Sequence, residues 1–316
     1  MRDDAKMKIS RQIKQLKWRF TQTTQILRRD SYRECFFTIW RHLSQMLGCR
    51  GYFWRLIYSH LQKKYGAFIK ENVSVNLRNY DEWKKRSTPN IIWWMWLQGE
   101  DNAPDICKAC LRSLRRWHSD KKIITLNEDN IHEYITLPDY INDKYKKGII
   151  SPAHYSDLIR LQLLIEHGGT WIDATLFCTG RKFEYIMHLP FFLFRRTING
   201  GITNAFIVSA PDNPILITLR DVLFRYWKDY NYCIEYFCFH MFFDMVSKEY
   251  PDMWSNIPFV KNINLYAMFN ARYDDYTEEK MKRFREIIDF HKFTYKISPE
   301  LRSSDKSVYH HIVYEE

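Results

Sequence analysis

Two neighbouring motifs bring together the side chains best suited to chemistry on a phosphorylated ligand. Asp157 and Arg160 are three residues apart, so on a helix they share one face. Asp173 follows a short apolar run that begins after the glycine pair at 168–169. A carboxylate at that position can hold a divalent cation against a diphosphate, and an arginine can stabilise negative charge on phosphate oxygens. Residue types and spacing therefore favour binding of a diphosphate and its cation.

The elements that must position these side chains have local boundary signals. Ser151 can cap a helix whose first residue is Pro152, and Gly168 can end that helix. The sequence thus predicts a helix over 152–167, followed by a strand over 170–173. Asp173 would then lie at the carboxyl end of the strand, the edge at which open α/β sheets bind ligands.

Strands and helices alternate along the rest of the chain. The predicted strands are 91–97, 122–126, 170–173, 191–194 and 205–209, and the predicted helices are 104–117, 131–135, 152–167, 214–227, 232–250 and 278–290. This alternation indicates an α/β fold whose sheet is covered by helices on both faces. We expect an N-terminal basic helical subdomain over residues 1–88 and a main domain over 89–316.

The net charge of +11 is concentrated at the N-terminus. Residues 1–90 contain 20 Lys or Arg and 7 Asp or Glu, whereas residues 91–316 contain 28 and 30. The near-neutral main domain lacks the field that would attract a polyanion, which disfavours nucleic acid as its partner. Amphipathic helices predicted over 7–64 could bind an anionic membrane surface through basic faces beside Trp, Phe and Leu. Alternatively, these helices pack their apolar sides on the main domain and leave a solvated basic face.

The seven cysteines form an odd set without a repeating frame, which is typical of free thiols in a reducing compartment. We interpret Cys107 and Cys110 as helix-packing residues. No stretch approaches the roughly 18 apolar residues of a spanning helix, and the charged N-terminus lacks the apolar region of a signal peptide. The sequence predicts a cytoplasmic protein, soluble or peripheral on the inner face of the cell membrane.

The two motifs together resemble a known signature. Ser156-Asp157-x-x-Arg160, followed by Gly168-Gly169-x-Trp171-x-Asp173-x-Thr175, is similar to the pattern of glycosyltransferases with a DXD sugar-binding region, family 32, and especially of their capsular polysaccharide synthesis branch. The similarity extends from about residue 89 to about residue 209. It implies a GT-A-like fold, a Rossmann-like mixed sheet flanked by helices.

The same resemblance implies an activity. The chain would be a retaining glycosyltransferase of the hexosyltransferase type that uses a nucleotide sugar, expected to be UDP-linked. Its acceptor would be a growing surface or capsular polysaccharide or a lipid-linked glycan. Residues that the resemblance or the chemistry assigns to the donor are Trp96, Asp157, Arg160, Trp171 and Lys296. Arg195, Arg196 and Lys292 are further candidates for contacts with the diphosphate, because oxyanions need cations. Among them, Trp96 would stack on the nucleobase, and Asp157, Arg160 and Asp173 would form the catalytic group.

The resemblance also implies Mn²⁺ or Mg²⁺ as a cofactor. Asp173 is similar to the first Asp of the DXD motif, but Thr175 stands where the family has its second Asp. A neutral hydroxyl is a weaker ligand for a hard cation than a carboxylate. Either the diphosphate and Asp173 supply enough oxygens, or metal dependence is weak, or another residue completes the site with Asp173 and Thr175. The late histidines His310 and His311 are candidates for that residue. The threonine leaves open a non-catalytic nucleotide- or glycan-binding relative. The basic N-terminal segment alone leaves open a membrane-surface or nucleic-acid adaptor.

Overall fold

The computed structural model describes residues 50–198 and 200–315, together with residue 39. In chain order its helices are α1 (Arg50–Asn76), α2 (Tyr80–Trp83), α3 (Asp105–Trp117), α4 (Asp139–Lys146), α5 (Pro152–Glu166), α6 (Pro214–Asp229), α7 (Cys238–Lys248), α8 (Pro251–Ser255), α9 (Ala267–Asn270), α10 (Glu278–Ile287), α11 (Pro299–Arg302) and α12 (Val308–His310). The strands are β1 (Ile91–Met95), β2 (Lys122–Leu126), β3 (Gly169–Ile172), β4 (Leu176–Cys178), β5 (Phe191–Thr197), β6 (Gly200–Ser209) and β7 (Phe290–Lys292). Within the described ranges, no helix combines the length and apolar character needed to cross a membrane.

The main sheet has five strands in the order β2-β1-β3-β6-β5. Strands β2, β1 and β3 run parallel, with Trp93 opposite Trp171, whereas β6 and β5 are antiparallel to their neighbours. Buried rings hold its centre, since Trp93 and Trp94 on β1 are 1% and 0% exposed. The predicted α/β fold with a mixed sheet flanked by helices is confirmed.

A second, two-stranded sheet lies next to the end of β3. Strand β4 pairs with β7 in antiparallel register, so that Leu176 is opposite Lys292. The backbone N–H of Phe293 also donates to the carbonyl of Thr175 at 2.8 Å. This small sheet fixes the position of Lys292 relative to the residues that directly follow β3.

Helix α1 packs on the main body instead of standing apart from it. One apolar stripe faces α6 and α7, and its buried members are Phe53, Ile57, Leu61, Tyr65, Ile69 and Val73. Tyr58 and Tyr65 add hydrogen bonds to Asp244 of α7 and Asp229 of α6, at 2.7 and 3.0 Å. The part of the predicted basic helices that is described, residues 50–64, thus follows the packing alternative.

Other parts of that prediction are not tested. The predicted helices over 7–49 lie outside the described residues, apart from residue 39. The boundary between residues 88 and 89 stays a prediction, although α1 continues to Asn76, beyond the predicted helix end at 64. The described cysteines, 107, 110, 178, 233 and 238, form no disulfide.

Three predicted helices are shorter than expected. The one predicted over 131–135 is a single 3-10 turn, Ile131–Glu133. The helix predicted over 232–250 begins only at Cys238, because the Tyr226 hydroxyl donates to the carbonyl of Tyr232 and accepts from the N–H of Ile234. The helix predicted over 278–290 ends at Ile287. Its last predicted residue belongs instead to β7, where pairing with β4 satisfies the backbone groups.

Candidate active site

Helix α5 positions the first two candidate residues. The Ser151 hydroxyl accepts a hydrogen bond from the N–H of His154 at 3.3 Å, and Pro152 occupies the first turn, as the sequence predicts. Gly168, with a φ of +65°, follows the helix end. These local signals fix the rotation of α5, and both Asp157 and Arg160 line the same cleft.

Arg160 joins the two carboxylates. Its Nη2 lies 3.2 Å from Oδ1 of Asp157, and its Nη1 lies 3.3 Å from Oδ1 of Asp173. The guanidinium stacks 4.8 Å from the Trp171 ring centroid and donates to the carbonyl of Asn204. With only 5% of its surface exposed, Arg160 holds the two acids in place and offers little surface to a ligand.

Asp157 keeps part of its carboxylate available to the cleft. Its Oδ1 accepts from Nδ2 of Asn204 at 2.8 Å, and no partner for Oδ2 occurs among the residues that the structure describes. Burial raises the pKa of Asp157 to about 6, although Arg160 and His154 oppose that rise. The side chain can therefore accept hydrogen bonds from a ligand and exchange its proton near neutral pH.

Asp173 has the opposite character. Its Oδ1 accepts from Nε1 of Trp171 at 2.9 Å, and its Oδ2 lies 3.0 Å from Nζ of Lys292. Burial favours the protonated acid, but Lys292 and Arg160 outweigh it and lower the pKa of Asp173 to about 2. Lys292 also donates to the Thr175 hydroxyl. Lys292 and Arg160 thus favour the ionised form of Asp173, and both of its carboxylate oxygens have partners.

These residues lie in a cleft of about 1210 Å³ at the carboxyl ends of β1 and β3. Trp96 and Tyr295 line one part of it, with their rings edge to face at 5.5 Å. Gly51 and Trp54 of α1 line another part. The cleft therefore combines a paired set of charges with an aromatic surface.

The sequence matches the family described as "Capsular polysaccharide synthesis protein" over residues 49–312. The chain belongs to this family. A search of curated proteins finds no match. Among solved structures, the chain is similar to "PaToxG Glycosyltransferase", with 11% identity, 82% of this chain and 95% of that chain covered, and a TM-score of 0.39.

In this member of the capsular polysaccharide synthesis family, most of the predicted site residues lie together. The predicted residues that line the cleft are Trp96, Asp157, Arg160, Trp171, Asp173, Thr175 and Lys292. Lys296 and His310 are not among the described lining residues. Nζ of Lys296 lies 6.0 Å from the Tyr295 ring centroid, and Nε2 of His310 faces Glu315 at 3.9 Å. Trp171 is 1% exposed and supports Arg160 from behind.

The predicted metal ligands do not fit a divalent ion in this arrangement. Asp173 and Thr175 are neighbours, but Lys292 already bonds both of them. His310 is not among the described residues that line the cleft, and these residues contain no group of three or more His, Cys, Asp or Glu that could hold a metal. The metal prediction stays untested, yet the side chains that should form the site are arranged around an ammonium group.

Two functional residues, Lys292 and Asn204, have only a weak signal in the sequence. Lys292 is one of several basic residues that could contact phosphate, and Asn204 lies three residues after the glycine pair at 200–201, a pattern that is equally typical of a plain turn. Both reach the site through sheet pairing, Lys292 on β7 and Asn204 on β6. No alternation of apolar residues marks the short strand around Lys292, because Phe290 and Phe293 are three residues apart.

Proposed function

We propose that this protein is a glycosyltransferase that moves a sugar from a nucleotide sugar, expected to be UDP-linked, to a surface polysaccharide or lipid-linked glycan. One observation carries the proposal. In a member of a capsular polysaccharide synthesis family, Asp157, Arg160, Asp173 and Lys292 converge on one cleft.

The dimensions and lining of the cleft support two ligands. A pocket for one small molecule typically measures about 300–1,000 Å³, and this cleft is larger, at about 1210 Å³. Trp96 and Tyr295 provide aromatic surface on which a nucleobase can stack. Oδ2 of Asp157 can accept from sugar hydroxyls, and Lys292 lies close enough to the centre of the charged cluster to meet a diphosphate.

The proposed reaction follows from these positions. The bond between the sugar anomeric carbon and the donor phosphate oxygen breaks, and its electron pair stays on the phosphate. A hydroxyl of the acceptor forms the new bond from the same side, as a retaining mechanism requires, and its proton passes to a phosphate oxygen. Cationic groups stabilise the charge that grows on the departing phosphate most where water is excluded.

A donor panel tests the proposal. We expect the purified protein to release nucleoside diphosphate from at least one of a set of UDP-, GDP- and CMP-linked sugars. Release should fall in the Asp157→Asn variant, because the carboxylate that orients the sugar is lost. Nucleotide binding without turnover, measured by saturation-transfer NMR, would favour a non-catalytic binding relative instead. Absence of both would contradict the proposal.

We also propose that an anionic membrane surface meets the protein beside the cleft mouth. Tyr52 and Leu56 on the first turns of α1 are 63% and 42% exposed, next to the exposed Arg55. Gly51 and Trp54 on the same turns line the cleft. Exposed apolar and basic side chains on one helix suit the headgroup region, and a lipid-linked acceptor would then arrive at the cleft.

Vesicle co-sedimentation of the full chain tests this placement. We expect binding to vesicles that contain phosphatidylserine and weaker binding to phosphatidylcholine alone or at high salt. The double variant Tyr52→Ser/Leu56→Ser should bind about tenfold or more weakly, since each buried apolar side chain contributes about 1.5–3 kcal/mol. Tyr185→Ser, which removes an exposed ring outside the cleft lining, is the matched control. Equal losses in both variants would rule out this surface.

A further inference from the structure

We propose that the Lys292 ammonium takes the place of the divalent cation, so that this enzyme binds and releases the donor diphosphate without a bound metal. The inference rests on the proposed glycosyltransferase function and names the group that neutralises its leaving phosphate. It is drawn from the position of Lys292 between the two side chains that should be metal ligands.

Lys292 occupies the position where the ion would have to lie. Its Nζ is 3.0 Å from Oδ2 of Asp173 and also donates to Oγ1 of Thr175. These are the first and last residues of the Asp-x-Thr segment that corresponds to a DXD motif. The ammonium therefore bridges the two side chains that a divalent ion would otherwise bridge.

The other carboxylate oxygen of Asp173 also has partners. Its Oδ1 accepts from Nε1 of Trp171 at 2.9 Å and faces Nη1 of Arg160 at 3.3 Å. Mg²⁺ and Ca²⁺ need about six or more oxygen ligands at close range. A dication at Asp173 would meet two cationic side chains and one neutral hydroxyl, so both charge and ligand number oppose it.

The Lys292 side chain is well placed to bind the diphosphate in place of a metal ion. An ammonium group has three N–H donors, and Asp173 and Thr175 accept from two of them. The third remains for a phosphate oxygen, and the Lys292 side chain, 20% exposed, lines the cleft. Pairing of β7 with β4 holds its backbone opposite Leu176, so little reorganisation is needed when the diphosphate binds.

The sequence change at Thr175 fits the same account. An aspartate there would form a second ion pair with Lys292 and bring a third carboxylate into the cluster of Asp157 and Asp173. With threonine at position 175, the two cations, Arg160 and Lys292, balance the charges of the two carboxylates. An incoming diphosphate then meets an ammonium group that is only partly neutralised. Thr175 and Lys292 thus act together in keeping the charges of the cluster balanced.

The sharpest test measures metal and diphosphate binding separately from turnover. Isothermal titration of the full chain with inorganic pyrophosphate should give the same affinity in EDTA and in Mn²⁺. The Lys292→Ala variant should bind pyrophosphate about 10- to 150-fold more weakly in EDTA, since a hydrogen bond to a charged group contributes about 1.5–3 kcal/mol. Lys282→Ala, on the exposed face of α10, should bind as the unchanged protein does.

A second experiment tests directly whether the protein binds Mn²⁺. Electron paramagnetic resonance should show no pyrophosphate-dependent Mn²⁺ site in the unchanged protein. The double variant Lys292→Ala/Thr175→Asp, which restores two acids and removes the ammonium, should gain such a site. Donor turnover in the unchanged protein should likewise survive EDTA.

The outcomes separate this inference from the proposed function. A Mn²⁺ site in the unchanged protein that disappears in Asp173→Asn, or pyrophosphate binding that requires Mn²⁺, would overturn the role of Lys292. These two measurements use the unchanged protein and one variant, Asp173→Asn, which keeps the size and shape of the side chain. If no donor is turned over under any condition, the glycosyltransferase proposal fails, while the binding measurements still decide whether Lys292 replaces a metal.

Discussion

The Asp157→Asn variant should have a kcat/KM for its donor about 10- to 150-fold below that of the unchanged protein. The substitution preserves the shape of the side chain and removes its charge. A hydrogen bond from a sugar hydroxyl to a charged acceptor contributes about 1.5–3 kcal/mol, which gives this range of rates. Asp252→Asn, an exposed position on α8, is the matched control and should leave kcat/KM unchanged.

The pH profile makes the same prediction more specific. The pKa of Asp157 is raised to about 6, so the fraction of ionised carboxylate falls as the pH drops through 6. We expect the rate of the unchanged protein to decline over that interval and the Asn variant to lack this decline. The charged groups that face Asp157 are Arg160, His154 and Asp173. An acid limb that persists unchanged in the variant would show that another group titrates.

The Gly169→Ala variant should be destabilised by about 3 kcal/mol or more, because it combines backbone strain with overpacking. Gly169 has a φ of +97°, and a Cβ there would lie 2.7 Å from the Ile91 carbonyl and 3.2 Å from Nε1 of Trp93. Both neighbours belong to the centre of the sheet and cannot move away cheaply. Urea unfolding measures the loss, and donor turnover should fall with it because β3 leads to Asp173.

Substitution of a second glycine should change the free energy of unfolding in the opposite direction and serves as a control. Gly66 lies inside α1, and a Cβ there would meet nothing within 4 Å. Gly66→Ala should therefore stabilise the protein by about 0.5–1 kcal/mol, the usual difference between the two residues within a helix. Equal changes in the two variants would mean that the contacts of Gly169 do not determine its effect.

Local signals made the centre of the site predictable from sequence. Ser151 and Pro152 set the start of α5, and the glycines after it set the start of β3. These boundaries are enough to predict that Asp157, Arg160 and Asp173 are neighbours. Their exact pairing through one guanidinium was not evident, because it depends on the Trp171 ring behind Arg160.

Long-range pairing explains what could not be predicted. Lys292 lies 119 residues from Asp173 along the chain, and only the pairing of β7 with β4 brings it to the cleft. The late start of α7 has a similar cause, since hydrogen bonds from Tyr226 hold residues 232–234 outside the helix. No periodicity within either segment contains that information.

Helix α1 has a consequence for how the protein can be divided. It is 27 residues long, about 40 Å at 1.5 Å per residue, and its buried stripe and its cleft-lining residues belong to one rigid rod. A fragment cut at residue 89 would lose part of the cleft wall and expose the apolar faces of α6 and α7. The shortest useful expression fragment should therefore begin before Arg50, at the residue where the family match also begins.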